Sequence, residues 1–326
     1  MDTLVFGALD IGGTKIAGGL VDADGRLVAR SQCATPARGT AEEMMAAVAA
    51  VLDDLAVHPE WESISGLGIA SAGPVATAAG TVSPVNIPAW RAFPLADRVR
   101  AHPRVPLGVE PLVVGDAVAM AAGEHRAGAA RGVDNALCMV VSTGIGGGLI
   151  LNGSLYAGPS GNAGHIGHIS VDHTGGPACP CGARGCLEQL ASGTAIAAHA
   201  VASGWEPPAG DAPTAATVAD AARAGDPRAA AAYDRAGRAL AAAIAATAAL
   251  VELDLVVVGG GVAQAGETLF APLRRHLADY ATLDFTRDLP VLPARLSTDA
   301  GLIGAAVAAG MPRPERGTTE LPASHA

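Results

Sequence analysis

The hydrophobic pattern alternates between short β-branched runs and longer helical ones. Residues Thr3 to Leu9 form an apolar run that predicts a strand, and Ile16 to Val21 predicts a second. The turn signal Asp22-Ala23-Asp24-Gly25 then returns the chain through Arg26 to Ser31 as a hairpin partner. The chain therefore opens with antiparallel strands, unlike the strand–turn–helix start of a dinucleotide-binding unit. Thr40 and Glu43 form a capping-box pattern, followed by Met44, Val48, Val51 and Leu55 at helical spacing. Strands are predicted at 64–70, 112–114 and 136–141, with a Gly/Pro-rich loop over 71–94 and an alanine-rich helix to about Ala127. A return strand at 149–151, helix across 214–250, a strand at 255–258 and a last helix at 299–309 complete the pattern. The strand–glycine turn–strand unit of the N-terminus recurs at 136–151, which suggests two duplicated α/β domains.

Composition changes this picture little. The chain has 326 residues, enough for two cores, and is 50% hydrophobic with only 3% aromatics, so Ala, Val and Leu must fill them. A net charge of −10 argues against nucleic-acid partners. The N-terminal MDTLVFGALD has no basic n-region or cleavage signal, and the late apolar stretch is broken by Glu252, Asp254 and glycines. The expectation is a cytoplasmic protein without a membrane span. The Pro-rich tail 311–326 is expected to be disordered.

Three of the five cysteines, Cys179, Cys181 and Cys186, lie in CPCGARGCLE, shortly after His168. One imidazole and three thiolates make a tetrahedral ligand set for zinc, against the alternatives of incidental thiols or a disulfide. Gly182 and Gly185 would let the loop turn its sulfurs inward. His165 and Glu188 flank this loop and could be presented to a ligand.

The glycine turns DIGGTK (10–15) and STGIGGG (142–148) are either plain hairpins or places where backbone N–H groups approach an anion. With Gly259, Gly260 and Gly261 after a third strand, they suggest a nucleotide held between two lobes. Asp10 is either a turn-starting residue or a magnesium carboxylate. Asp116 either caps the helix it precedes or acts as general base toward a substrate hydroxyl.

The ordered motifs LDIGGTK, STGIGGG and CxCGxxGCxE, across about residues 3–310, resemble the ROK family of sugar kinases and repressors. That resemblance implies an actin/hexokinase-like (ribonuclease H-like) α/β fold of two domains around a cleft. The lobes would be 1–118 with 299–310, and 119–298. It also implies an ATP-dependent kinase using Mg2+, with structural zinc, assembled as a homodimer or homotetramer. Gly12, Gly13, Thr14 and Lys15 would face the phosphates from one lobe, with Thr143, Gly144, Gly146 and Gly147 opposite. Gly259, Gly260 and Gly261 would border the adenosine, and Asp116 would be the catalytic base. His168 would serve both zinc and sugar, alongside Asn86, His165 and Glu188. Two positions depart from the usual family pattern: Gly115 replaces an Asn before the catalytic Asp, and His165 replaces a Glu. The second departure, in AGHIGH, together with the later LASG, is similar to family members acting on N-acetylmannosamine. The expected acceptor is therefore the 6-hydroxyl of N-acetylmannosamine or a related hexose, with glucose and N-acetylglucosamine as alternatives. With nine residues before Asp10, no winged helix-turn-helix is expected, and a catalytically inactive sugar binder is the other-class alternative.

Overall fold

The computed structural model describes residues 4–84 and 87–310. The expectations for Asn86 and for the 311–326 tail lie outside the described residues.

The opening hairpin forms as the pattern predicts. Strands β1 (Val5–Ile11) and β2 (Lys15–Asp22) pair antiparallel, and β3 (Leu27–Ala34) extends the ribbon. On β3 exposure alternates residue by residue, as on an edge strand with one face in the core, whereas β1 is buried on both faces. Helix α1 (Ala41–Leu55) starts at the expected capping box: Thr40 accepts from the Glu43 N–H, and Glu43 accepts from the Thr40 N–H. Its buried stripe of Met44, Val48, Val51, Leu52 and Leu55 covers the sheet. Each such side chain contributes about 1.5–3 kcal/mol of burial. Strand β4 (Leu67–Ser71) lies parallel to β1. A small ribbon, β5 (Val75–Ala76) with β6 (Thr81–Val82), and helix α2 (Leu95–Arg100) then lead to β7 (Pro111–Gly115), parallel to β4. The first sheet has the order β3-β2-β1-β4-β7.

After helix α3 (Asp116–Ala127) the plan repeats. Strands β8 (Ala136–Val141), β9 (Ile145–Leu151) and β10 (Ser154–Tyr156) form an antiparallel meander. Helices α4 (Glu188–Ala191), α5 (Gly193–Ala202), α6 (Ala215–Arg223) and α7 (Pro227–Val251) follow. Strand β11 (Leu255–Gly259), helix α8 (Glu267–Tyr280) and β12 (Val291–Pro293) finish the second sheet, in the order β10-β9-β8-β11-β12. The two sheets share one topology, so the duplication suggested by the glycine-turn pattern is real at the level of strand order. The expected helix over 214–250 is two helices, because Ala224–Asp226 break it and Asp226 caps α7 through the N–H groups of Arg228 and Ala229.

Helix α9 (Ala300–Gly310) returns to the first sheet and packs on β1 and β4. It also crosses α3 backbone to backbone: a Cβ at Gly304 would lie 1.5 Å from the Ala119 carbonyl oxygen. The division expected at 118/119 passes through α3, one unbroken helix that touches both α9 and β9. Among the described residues, no helix is long and apolar enough to cross a membrane.

Candidate active site

The first glycine turn is short. Gly12 donates its N–H to the Lys15 carbonyl at 3.0 Å, and Thr35, just past the end of β3, braces the turn. The Thr35 hydroxyl donates to the Gly12 carbonyl at 2.8 Å, and its N–H to that of Thr14 at 3.0 Å. Asp10 sits one residue before the end of β1, beside Ala70 of β4. The start of α9 abuts it: a Cβ at Gly301 would lie 2.5 Å from the Asp10 carboxylate. Burial, then the negative charge of Asp116, push the Asp10 carboxyl up to about 6, while Lys15 opposes the shift.

Asp116 follows β7, so both carboxylates emerge at the carboxyl ends of parallel strands in one sheet, where open α/β sheets bind ligands. The helix cap is Gly115, and Asp116 is the first helical residue. Its Oδ1 accepts the adjacent Ala117 N–H at 2.7 Å, and the carboxylate remains accessible. Surrounding protein raises its proton affinity, opposed by the Ala117 N–H and by His165. Gly115 has ordinary extended backbone, φ −64 and ψ 146, and a Cβ there would meet only Val118 Cγ2, at 3.6 Å. Nothing in this backbone demands glycine.

The second turn is shorter than 142–148. Strand β9 begins at Ile145, so the turn is Ser142–Gly144, and Gly146, Gly147 and Gly148 pair within the sheet. These three glycines are explained by packing. A Cβ at Gly146 would come within 2.8 Å of Ala117 Cβ, and one at Gly148 within 2.6 Å of Ala121 Cβ. A Cβ at Gly147 would lie 3.0 Å from the Gly164 carbonyl oxygen. Their bareness lets α3, with Asp116, and the segment carrying His165 lie against β9.

The turn is held by residues from elsewhere. Glu188 Oε2 accepts the Ile145 N–H at 2.8 Å and occupies the space a Cβ at Gly144 would need, 2.6 Å away. Gly193 donates its N–H to the Ser142 carbonyl at 2.7 Å, and the Thr194 hydroxyl donates to that of Thr143 at 3.1 Å. Gly260, at φ +90, lies on β8, where a Cβ would be 2.4 Å from the Val141 carbonyl oxygen. Segments 142–144 and 259–261 are thus brought together, with the start of α5 beside them. Gly193, Thr194 and Gly301 escaped the sequence reading. For the first two a signal existed, since Ser192 caps α5 by accepting the Ala195 N–H at 3.2 Å.

The ligand atoms of His168, Cys179, Cys181 and Cys186 all lie within 4.8 Å of one another. Cys181 Sγ and Cys186 Sγ are 3.7 Å apart, and Cys179 Sγ is 3.6 Å from His168 Nδ1. A tetrahedral zinc has S–S edges of about 3.8 Å and S–N edges of about 3.5 Å, from bond lengths of about 2.3 and 2.0–2.1 Å. The donor set and spacing fit a metal of that size. Gly182 and Gly185 have φ +94 and +70, so the loop needs both to fold its thiols inward. His168 presents Nδ1 to this cluster, which leaves Nε2 directed elsewhere.

His165 does not bond the metal loop. Its Nδ1 donates to the Asn162 carbonyl at 2.9 Å, and its Nε2 side lies near Gly73, where a Cβ would be 3.3 Å away.

Comparison with known proteins follows these motifs. The ROK family description matches residues 6–310. The N-acetylmannosamine kinase of Yersinia pseudotuberculosis is 38% identical over 300 residues, covering 92% of this chain and 96% of that protein. The structure of a ROK family glucokinase from Streptomyces griseus, in complex with glucose and AMPPNP, superposes with a TM-score of 0.79 at 35% identity, over 94% of this chain and 99% of that one. A ROK hexokinase from Thermus thermophilus gives a TM-score of 0.77 at 33% identity, over 94% and 98%. With its duplicated sheets in the actin/hexokinase-like arrangement, this chain belongs to the ROK family.

Proposed function

We propose that this protein is an ATP-dependent sugar kinase that phosphorylates the 6-hydroxyl of N-acetylmannosamine or a closely related hexose or N-acetylhexosamine. The single observation that carries the reading is the exposed Asp116 at a strand end, in one sheet with Asp10 and close enough for the two charges to interact. Asp116 takes the proton of the acceptor hydroxyl as that oxygen bonds to the γ-phosphorus, and the bond from that phosphorus to the β-phosphate bridging oxygen breaks, releasing ADP. Its raised proton affinity makes Asp116 a stronger base toward the hydroxyl proton. Gly12, Gly13, Thr14 and Lys15 hold the phosphates from one lobe and Thr143 and Gly144 from the other. Gly259, Gly260 and Gly261 border the adenosine. Asp10 would hold Mg2+, directly or through water, and bound Mg2+ neutralises phosphate charge. Gly146 and Gly147 act by holding α3 and the 164–168 segment in place.

His165, His168 through Nε2 and Glu188 bind the sugar, and Asn86 is proposed for the same role. Gly115 leaves room for a bulkier substituent beside the base. Zinc at His168, Cys179, Cys181 and Cys186 is structural, because four protein ligands leave no open position. The lobes are 1–118 with 299–310, and 119–298, joined through the continuous helix α3 around a cleft. The working protein is cytoplasmic, a homodimer or homotetramer, and has no nucleic-acid or membrane partner.

An ADP-release assay over N-acetylmannosamine, N-acetylglucosamine, glucose, mannose and allose tests the reading. N-acetylmannosamine should give the highest kcat/KM. Equal or better values for glucose or N-acetylglucosamine would replace the substrate but keep the kinase. Sugar binding without ADP release from any of them would favour an inactive binder, the alternative that Gly115 raises.

A further inference from the structure

The ribbon β5–β6 belongs to the 71–94 loop, and the segment 158–164 follows β10 of the other sheet. They meet through one side chain and one backbone bond. The Asn162 carboxamide pairs with both backbone polar groups of Val75: its Oδ1 accepts the Val75 N–H at 3.2 Å, and its Nδ2 donates to the Val75 carbonyl at 2.7 Å. A side-chain amide here stands in for one residue of a neighbouring strand. Next to it, the Thr77 N–H donates to the Ser160 carbonyl at 3.4 Å. Gly161 must be bare, since a Cβ would lie 2.1 Å from Thr77 Oγ1. The same Asn162 supplies the carbonyl that accepts from His165 Nδ1 at 2.9 Å. That bond makes Nδ1 a donor and turns the Nε2 edge of the ring toward Gly73.

We infer that Asn162 is a positioning residue for acceptor selection. It fastens the loop of one lobe to the other and, through the same residue's backbone, fixes the tautomer and direction of His165. It touches neither the phosphates nor the reacting hydroxyl. It rests on the kinase reading only in that the ligand governed by His165 is the acceptor sugar.

The measurement is steady-state kinetics and amide exchange on the zinc-loaded full chain, for Asn162→Ala and for Asn162→Leu, which keeps bulk but no polar atoms. Zinc content and melting temperature select the variants that fold. The Val75 amide should exchange faster by about tenfold or more. Acceptor KM should rise about tenfold, with ATP KM within about twofold and kcat within about threefold. In a His165→Ala background the Asn162 change should add little to the acceptor KM, which a purely structural loss would not predict. Unchanged Val75 exchange, an acceptor KM within about twofold of wild type, or full additivity with His165→Ala overturns the inference and leaves the kinase reading intact. Wild-type protein that releases ADP with no sugar overturns the kinase reading, while the exchange arm still decides whether the clasp exists.

Discussion

The two glycine turns occupy equivalent places in two sheets of one topology, yet they are held by opposite means. The first is self-contained. Its charges, Asp10 and Lys15, lie on its own strands, and its brace, Thr35, directly follows the next strand of the ribbon. The second, Ser142–Gly144, carries no charge and is held by Glu188, Gly193 and Thr194 from segments beyond the metal loop. Duplication thus preserved a backbone shape, while the interactions that fix it diverged. One turn reads from local sequence; the other depends on residues that follow the metal loop.

The largest expected effect falls on the residue belonging to neither turn. Asp116→Asn should lower kcat about 10²–10⁴-fold with acceptor affinity nearly intact, as seen by turnover and by sugar calorimetry on one preparation. A rate within about threefold of wild type would remove Asp116 from the base role.

Cys181→Ser breaks the borrowed turn selectively. Zinc should fall well below one equivalent, the metal loop should lose several kcal/mol of local stability, and sugar affinity should fall with it. Amide exchange should accelerate at Ile145, whose partner Glu188 follows Cys186 by two residues, and stay unchanged at Gly12. Equal acceleration at both turns would show that both depend on the metal loop.

Asp10→Asn tests the self-contained turn. The folded carboxyl sits at about 6 against an ordinary 3.8, so the folded, ligand-free protein binds more protons than the unfolded chain between those values. The stability this contributes is full at low pH and is lost as pH rises through that window. The Asn variant cannot ionise, so relative to wild type it should gain on the order of 1–2 kcal/mol between pH 4 and 7, after allowance for solvent access. Chemical denaturation of the ligand-free protein at the two pH values reads this, and Mg-ATP affinity should fall in the same variant.

The smallest effect concerns selection. His165→Glu replaces a donor–acceptor ring by an acceptor-only carboxylate and should change the ratio of kcat/KM values between N-acetylmannosamine and glucose by about tenfold. An unchanged ranking would show that His165 is not the selector.

The contrast between the turns also marks what could be read in advance. The Thr40–Glu43 box, the opening hairpin, the helical stripe from Met44 to Leu55 and the His168–cysteine cluster are signals confined to a few neighbouring positions, and all four appear in the fold. The bond from Ile145 to Glu188, the contact of Gly301 with Asp10 and the Asn162–Val75 pair join positions far apart along the chain. No local periodicity encodes them. The early start of β9 was hidden for a related reason: three consecutive glycines look like a turn, and only the helix lying on them explains why they form a strand.

Helix α9 sets a timetable for synthesis. The first sheet has all its strands once Gly115 is made, yet the helix that covers it and closes on Asp10 begins at Ala300. At about 5–20 residues per second the ribosome leaves that face uncovered for roughly 10–40 s. The sheet made first is therefore covered last, and the Asp10 end of the site cannot assemble before Ala300–Gly310 has been made.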